Sequence, residues 1–173
     1  SGTIDADPNV RNFSYTVKDD VIYYRENSKM RVVKGGETAL ARIRALVPLR
    51  DTCRELINAQ LENFPDEYIK MLQARLNDQY DAYRKKYGLI NSRGTASAFR
   101  EDSGYFLLCS LEDLDDEGNF KGKTDMFTKR TIRPERVVTS VDTPSEALAV
   151  SIGEHETYDG RAYLQAVDEK YDV

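Results

Sequence analysis

The stretch from Glu37 to Tyr87 constrains this chain most, because it carries two apolar stripes at helical spacing separated by one short break. Leu40, Ile43, Val47, Arg50, Leu56 and Ile57 mark the first stripe, and Leu46, Cys53 and Leu61 widen it. Ile69, Leu72, Leu76, Tyr80, Tyr83 and Tyr87 form the second, with Gly88 placed as a C-terminal stop. Between them, Phe64-Pro65-Asp66 interrupts the helical pattern, and Asp66 sets a carboxylate where a helix start leaves N–H groups free. Two helices joined so shortly are expected to pack as an antiparallel hairpin. Pro48 falls inside the first stripe, which predicts a kink or a split near Val47.

Around this hairpin the pattern is β-rich. Residues 13–17 and 21–25 are two β-prone runs about the polar turn Lys18-Asp19-Asp20, which predicts a β-hairpin. Residues 1–11, poor in apolar side chains, read as a flexible lead-in, and Asn27 to Gly36 as a basic loop ending in a Gly pair. Tyr105 to Leu111 is expected to be a strand, Asp115 to Asn119 a turn, and Phe120 to Phe127 the returning partner strand. Val137 and Val138 suggest a further short strand. Thr143, Pro144 and Glu146 open a last helical region containing Ala147, Leu148, Val150 and Ile152, and residues 160–167 read as another short helix. The expected fold class is α+β: a helical hairpin packed with small antiparallel β-hairpins and a short C-terminal helical region. It is organised as a lead-in over 1–11, one domain over 12–153 and a helical tail over 154–173.

Composition narrows the chemistry. The 173 residues carry a net charge of −5, which argues against a surface that grips nucleic acid over its whole area. Cys53 and Cys109 are the two cysteines, expected in a helix and a strand as reduced thiols of a cytoplasmic protein. No run reaches the roughly 18 apolar residues of a membrane helix, so no membrane partner is expected. His155 is the single histidine, and flanked by Glu154 and Glu156 it reads as a surface residue, so neither a metal site nor a histidine-dependent nucleophile is expected. The pair Gly35-Gly36 lacks the Lys and Ser or Thr of a phosphate-binding loop. The acidic run Glu112 to Gly118 lacks the ligand spacing of an EF-hand and reads as a solvated turn. No catalytic residue and no cofactor are expected. The opening Ser1-Gly2-Thr3 and the end at Asp172-Val173 suggest a piece of a longer protein.

The segment Lys129 to Arg136 is the surface feature with functional promise. Lys129, Arg130, Arg133 and Arg136 could contact the phosphates of DNA, with Tyr105, Phe106 or Phe127 near enough to stack. Equally, such a cluster is common on a solvated edge, where charge discourages strand pairing. Arg84, Lys85 and Lys86 close the second helix, where cations complement the dipole.

Several runs together resemble a region of very large bacterial proteins of conjugative and phage-like elements, which combine an adenine-specific DNA methylase with an SNF2-like superfamily II helicase. The likeness rests on residues 13–17 with 21–28, Ala41 to Arg44 with Leu49 to Asp51, and Lys86 to Ser92. It continues through Ala98-Phe99, Glu101 to Ser103, Tyr105 to Glu112, Lys123 to Ile132, Thr139 to Thr143 and Glu146 to Ile152. In that family the region lies after the methylase core and before the helicase motor. The resemblance therefore implies a non-catalytic connector whose partners are the flanking methylase and helicase domains. Pro48 and the tail from Glu154 onward depart from the family pattern. Two readings remain open: a connector that also touches DNA through the basic segment, and a scaffold that only docks neighbouring domains.

Overall fold

A computed structural model describes residues 2–134. The expected Val137–Val138 strand, the helices over 143–152 and 160–167, His155 and Arg136 lie outside the described residues. Within them the fold is α+β, as its sequence pattern implies.

Helix α1 (Glu37–Leu61) and helix α2 (Asp66–Tyr87) form the expected hairpin. Glu55 and Arg75 meet at 3.1 Å across it, as antiparallel partners should. Leu46, Leu49, Leu56, Leu72 and Leu76 are fully buried, and each such side chain contributes about 1.5–3 kcal/mol by leaving water. Pro48 does not split α1, which runs unbroken through it. Both Pro48 and Arg44, the residue whose carbonyl loses its partner, lie on the exposed side of the helix, where water can take the place of the missing N–H.

The β-layer is larger than the sequence suggests. Strands β1 (Thr3–Asp5), β2 (Tyr15–Lys18), β3 (Val21–Glu26) and β4 (Lys29–Val32) form one antiparallel sheet in the order β1-β4-β3-β2. The predicted hairpin is β2–β3, turning through Asp19 and Asp20, both at positive φ, as a type I′ turn requires. Two expectations are corrected here. The basic loop contains β4, because Lys29 and Arg31 point to solvent and reach Asp5 (2.6 Å) and Glu26 (3.0 Å), while Met30 between them is fully buried. The lead-in contains β1, which pairs Ile4 with Met30. Residues 7–12 are tied back to the sheet by the Arg25 guanidinium, which donates to the Val10 carbonyl, and by Asn12, whose side-chain oxygen accepts from the Asn27 N–H.

Tyr105 to Leu111 is corrected as well. It opens with a short helix, α4 (Tyr105–Cys109), and not a strand. Asp102 turns the chain by accepting from Gly104 N–H at 2.6 Å on its side chain and from Tyr105 N–H at 3.0 Å on its carbonyl. Leu107, Leu108 and Leu111 then bury together while Phe106 points out. Local turn chemistry and burial at helical spacing outweigh β-propensity. Helix α3 (Arg93–Phe99), too short to show an apolar stripe in the sequence, is capped by Ser92, whose hydroxyl accepts from Thr95 N–H. The partner of strand β6 (Phe120–Lys123) is the three-residue β5 (Glu112–Leu114). Residues Asp125–Phe127 form a 3-10 turn where a continuing strand was expected. Between β5 and β6, Asp115 Oδ1 accepts from the N–H groups of Glu117 and Asn119, so Asp115 to Asn119 is the expected solvated turn; the start of the acidic run is corrected, since Glu112–Leu114 is strand β5 and Glu112 is buried.

One buried ion pair joins the layers. Arg50 of α1 and Asp102, both nearly sealed from solvent, meet at 2.7 Å. Arg50 also donates to the Tyr15 carbonyl (2.8 Å), and Asp102 Oδ2 accepts from the Tyr15 N–H (2.7 Å). Tyr15 in turn stacks on Phe99 at 5.4 Å and tilts against Tyr24 at 4.9 Å. Burial pushes both tyrosine hydroxyls up to about 12, so they stay neutral donors across the physiological range.

Two stability outcomes follow. Asp102→Ala removes the buried carboxylate from Arg50, leaving it only the exposed Asp51 at 3.0 Å, and strands the Tyr15 N–H; it should cost about 3 kcal/mol, read as a lowered urea midpoint. Pro48→Ala restores the N–H that Arg44 lacks and should raise stability by about 1–3 kcal/mol; an unchanged melting temperature would show that the local helix is already relaxed around the ring.

Candidate nucleic-acid interface

The predicted basic segment runs across the tip of the helical hairpin, and the hairpin dictates its path. Gln60 and Gln73 occupy buried positions on the inward stripes of α1 and α2. Gln60 Oε1 accepts from Thr131 N–H (2.7 Å) and Ile132 N–H (3.0 Å). Gln73 Nε2 donates to the carbonyls of Met126 (3.3 Å) and Lys129 (3.1 Å), and Asn77 Nδ2 donates to that of Phe127 (3.3 Å). Three side-chain amides thus supply the backbone partners that a neighbouring strand would otherwise give. Ile132 and Phe127 are buried beneath them, and Phe127 meets Tyr80 edge-on at 5.2 Å.

The charges of the segment are largely spoken for. Arg130 turns inward, donating to Asp66 Oδ1 at 2.9 Å and to the Phe64 carbonyl, and is mostly buried. It fastens the segment to the α1–α2 turn and is not presented to a phosphate. Lys129 is exposed, with Asp125 at 3.8 Å. Just before it, Lys123 pairs with Asp81 at 2.7 Å and lies over the Phe127 ring. Arg133 is exposed and has no carboxylate within 4.0 Å among the described residues. Of the four residues singled out in the sequence, then, Lys129 and Arg133 face solvent, Arg130 is structural, and Arg136 lies outside the described residues. The aromatic side chains proposed to stack with them are dispersed: Phe127 is in the core, while Tyr105 and Phe106 contact each other on α4.

A second carboxylate is equally committed. Glu112 is buried, and its two oxygens accept from Tyr80 OH (2.7 Å), Ile90 N–H (2.9 Å), Asn91 N–H (2.8 Å) and Asn91 Nδ2 (2.9 Å). Burial, together with the Glu112 carboxylate, pushes the Tyr80 hydroxyl well above its usual range. This arrangement locks the chain as it leaves α2; it leaves no lone pair poised to take a proton from a substrate. Cys53 is buried in the core, and burial raises its thiol, which keeps it a protonated, unreactive side chain at neutral pH. Cys109, expected in a strand, lies at the end of α4.

The clamp residues Gln60, Gln73 and Asn77 were not anticipated. A signal existed: Gln60 and Gln73 are polar residues set among apolar positions of each stripe, and a buried amide needs a partner. Comparison with protein-family models, with curated proteins and with solved structures finds no match.

Gln60→Ala strands two backbone N–H groups and should cost about 1–3 kcal/mol. Amide exchange at Thr131 and Ile132 should speed up more than exchange in α2, whereas uniform acceleration would show that Gln60 is not a local fastener.

Proposed function

We propose that this chain is a non-catalytic connector of a DNA methylase and helicase protein of mobile elements, and that it works by docking neighbouring domains. The observation that carries this reading is how its buried charge is used. Arg50 and Asp102 both bind the backbone of Tyr15 and Glu112 that of Ile90 and Asn91, so polar groups that could serve chemistry instead fix the relative positions of sheet, helices and loops. A rigid body of this kind suits a spacer. The tip of the hairpin adds a surface: Leu61 and Phe64 are 42% and 38% exposed, with Tyr68 edge-on to Phe64 at 5.1 Å. Apolar side chains grouped at a turn and rimmed by charge are typical of interaction surfaces. The family likeness over residues 12–153 supplies the identity of the neighbours.

Direct DNA contact through Lys129 and Arg133, continued by Arg136, is the second reading, favoured by the exposure of the first two. The carboxylates beside Lys123, Lys129 and Arg130 weaken it, since each cancels charge that would otherwise meet a phosphate.

The docking reading predicts a complex between this chain and the separately produced flanking domains, measurable by calorimetry. Leu61→Ser with Phe64→Ser should weaken it at least about tenfold, or about 1.4 kcal/mol, with the melting temperature of the chain little changed. Absence of any complex, or methyl transfer or ATP hydrolysis by the chain alone, would overturn the proposal.

A further inference from the structure

At the opposite end of the hairpin from the basic segment, α2 finishes with Arg84, Lys85 and Lys86, the start of α3 brings Arg93, and the first half of α1 brings Arg42. Close contacts bind three of these into one cluster. Arg42 lies over the Tyr87 ring at 5.6 Å and Lys86 over the same ring at 5.5 Å. Arg42 also packs directly on Gly94, where an added Cβ would fall 2.7 Å from its terminal nitrogen and push the guanidinium aside. Arg84 stacks on Phe120 at 3.7 Å, flanking the cluster.

None of the five has a carboxylate within 4.0 Å among the described residues, in contrast to Lys123, Lys129 and Arg130. Arg42 Nε has no hydrogen-bond partner there either. The negative counterweights at this end are partly committed. The C-terminus of α2 carries about half a unit of negative charge, Glu112 is buried beneath Asn91, Glu37 stands in the first turn of α1, and Asp81, one turn before Lys85, is held by Lys123 at 2.7 Å; the acidic turn Asp115 to Glu117 lies in the hairpin that carries Phe120, on the Arg84 side. Complementing a helix dipole needs one cation, and here five basic side chains gather. In an acidic chain this end is a positive island, with aromatic rings already stacked under its cations.

We infer that this end of the hairpin, centred on Arg42, Lys86 and Arg93 with Lys85 and Arg84 beside them, is a contact surface for the phosphate backbone of a nucleic acid. The inference is independent of domain docking at the hairpin tip. Lys85, Lys86 and Arg93 are exposed and would reach phosphates as point charges. Arg42, half-buried with its Nε sealed from solvent and held by Tyr87 and Gly94, adds a fixed positive charge beneath them.

The test is fluorescence anisotropy of a labelled oligonucleotide, single-stranded and as a duplex, against this chain over a range of salt. Lys85→Glu, Lys86→Glu and Arg93→Glu combined should weaken binding at least about tenfold and lower the slope of log affinity against log salt by about two to three. Lys85→Arg, Lys86→Arg and Arg93→Lys combined should bind as the parent does, and Lys129→Glu with Arg133→Glu should change affinity less than about twofold. Circular dichroism confirms that each variant is folded, and all altered positions are exposed. The inference falls if the parent chain shows no salt-dependent binding, if Lys129→Glu with Arg133→Glu loses as much as the triple reversal, or if a poly-glutamate peptide binds this end more tightly than the oligonucleotide.

Discussion

The architecture turns on the Asp102 carboxylate. It receives the Arg50 guanidinium from α1, the Tyr15 N–H from the edge strand of the sheet and the Gly104 N–H from the turn into α4. Helix, sheet and loop layers therefore share one anion. A carboxylate and a guanidinium withdrawn from water are costly unless each remaining lone pair and N–H is occupied, and here backbone groups and, for Arg50, the Asp51 carboxylate occupy them. Specificity follows from that demand, because another packing of the sheet on α1 would strand a charge. The Ser14 and Ser103 hydroxyls, 2.5 Å apart in the adjacent buried layer, extend the same seam.

Glu112 and Gln60 repeat the strategy at the two ends of the hairpin. Glu112 gathers the chain as it leaves α2, and Gln60 holds the segment that crosses the α1–α2 turn. Each irregular connection is thus fastened by a side chain from a regular element or a strand. Loops that carry their own hydrogen-bond partners into the interior need no further secondary structure to stay in place. This explains how a chain with a four-stranded sheet and a separate two-stranded one closes around a single apolar core.

Legibility in the sequence divides along the same line. The hairpin could be read because the apolar stripes of α1 and α2 repeat at 3.6 residues, and β2–β3 because two β-prone runs flank Asp19-Asp20. β1 and β4 could not, since Thr3-Ile4-Asp5 is too short to alternate and the outward Lys29 and Arg31 mask the inward Met30. The aromatic and aliphatic run from Tyr105 reads as a strand in isolation; only Asp102, bonded to Arg50 far away in sequence, turns it into a helix. At the basic segment the residue types were legible and their partners were not: Arg130 meets Asp66 across 64 positions. The cluster around Arg42 and Arg93 was hidden for the same reason, as its members come from three helices.

The seam at Asp102 also bears on the order in which the chain can mature. Tyr15 and Ser14 leave the ribosome well before their buried partners, which lie 87 and 89 positions later. Contacts of such long separation form slowly, after loop closure has been achieved. During synthesis the Tyr15, Ile22 and Tyr24 face of the sheet therefore waits uncovered until the helical hairpin and the residues around Asp102 have emerged. Among the described elements, this β-layer has the most need of shielding in the nascent chain.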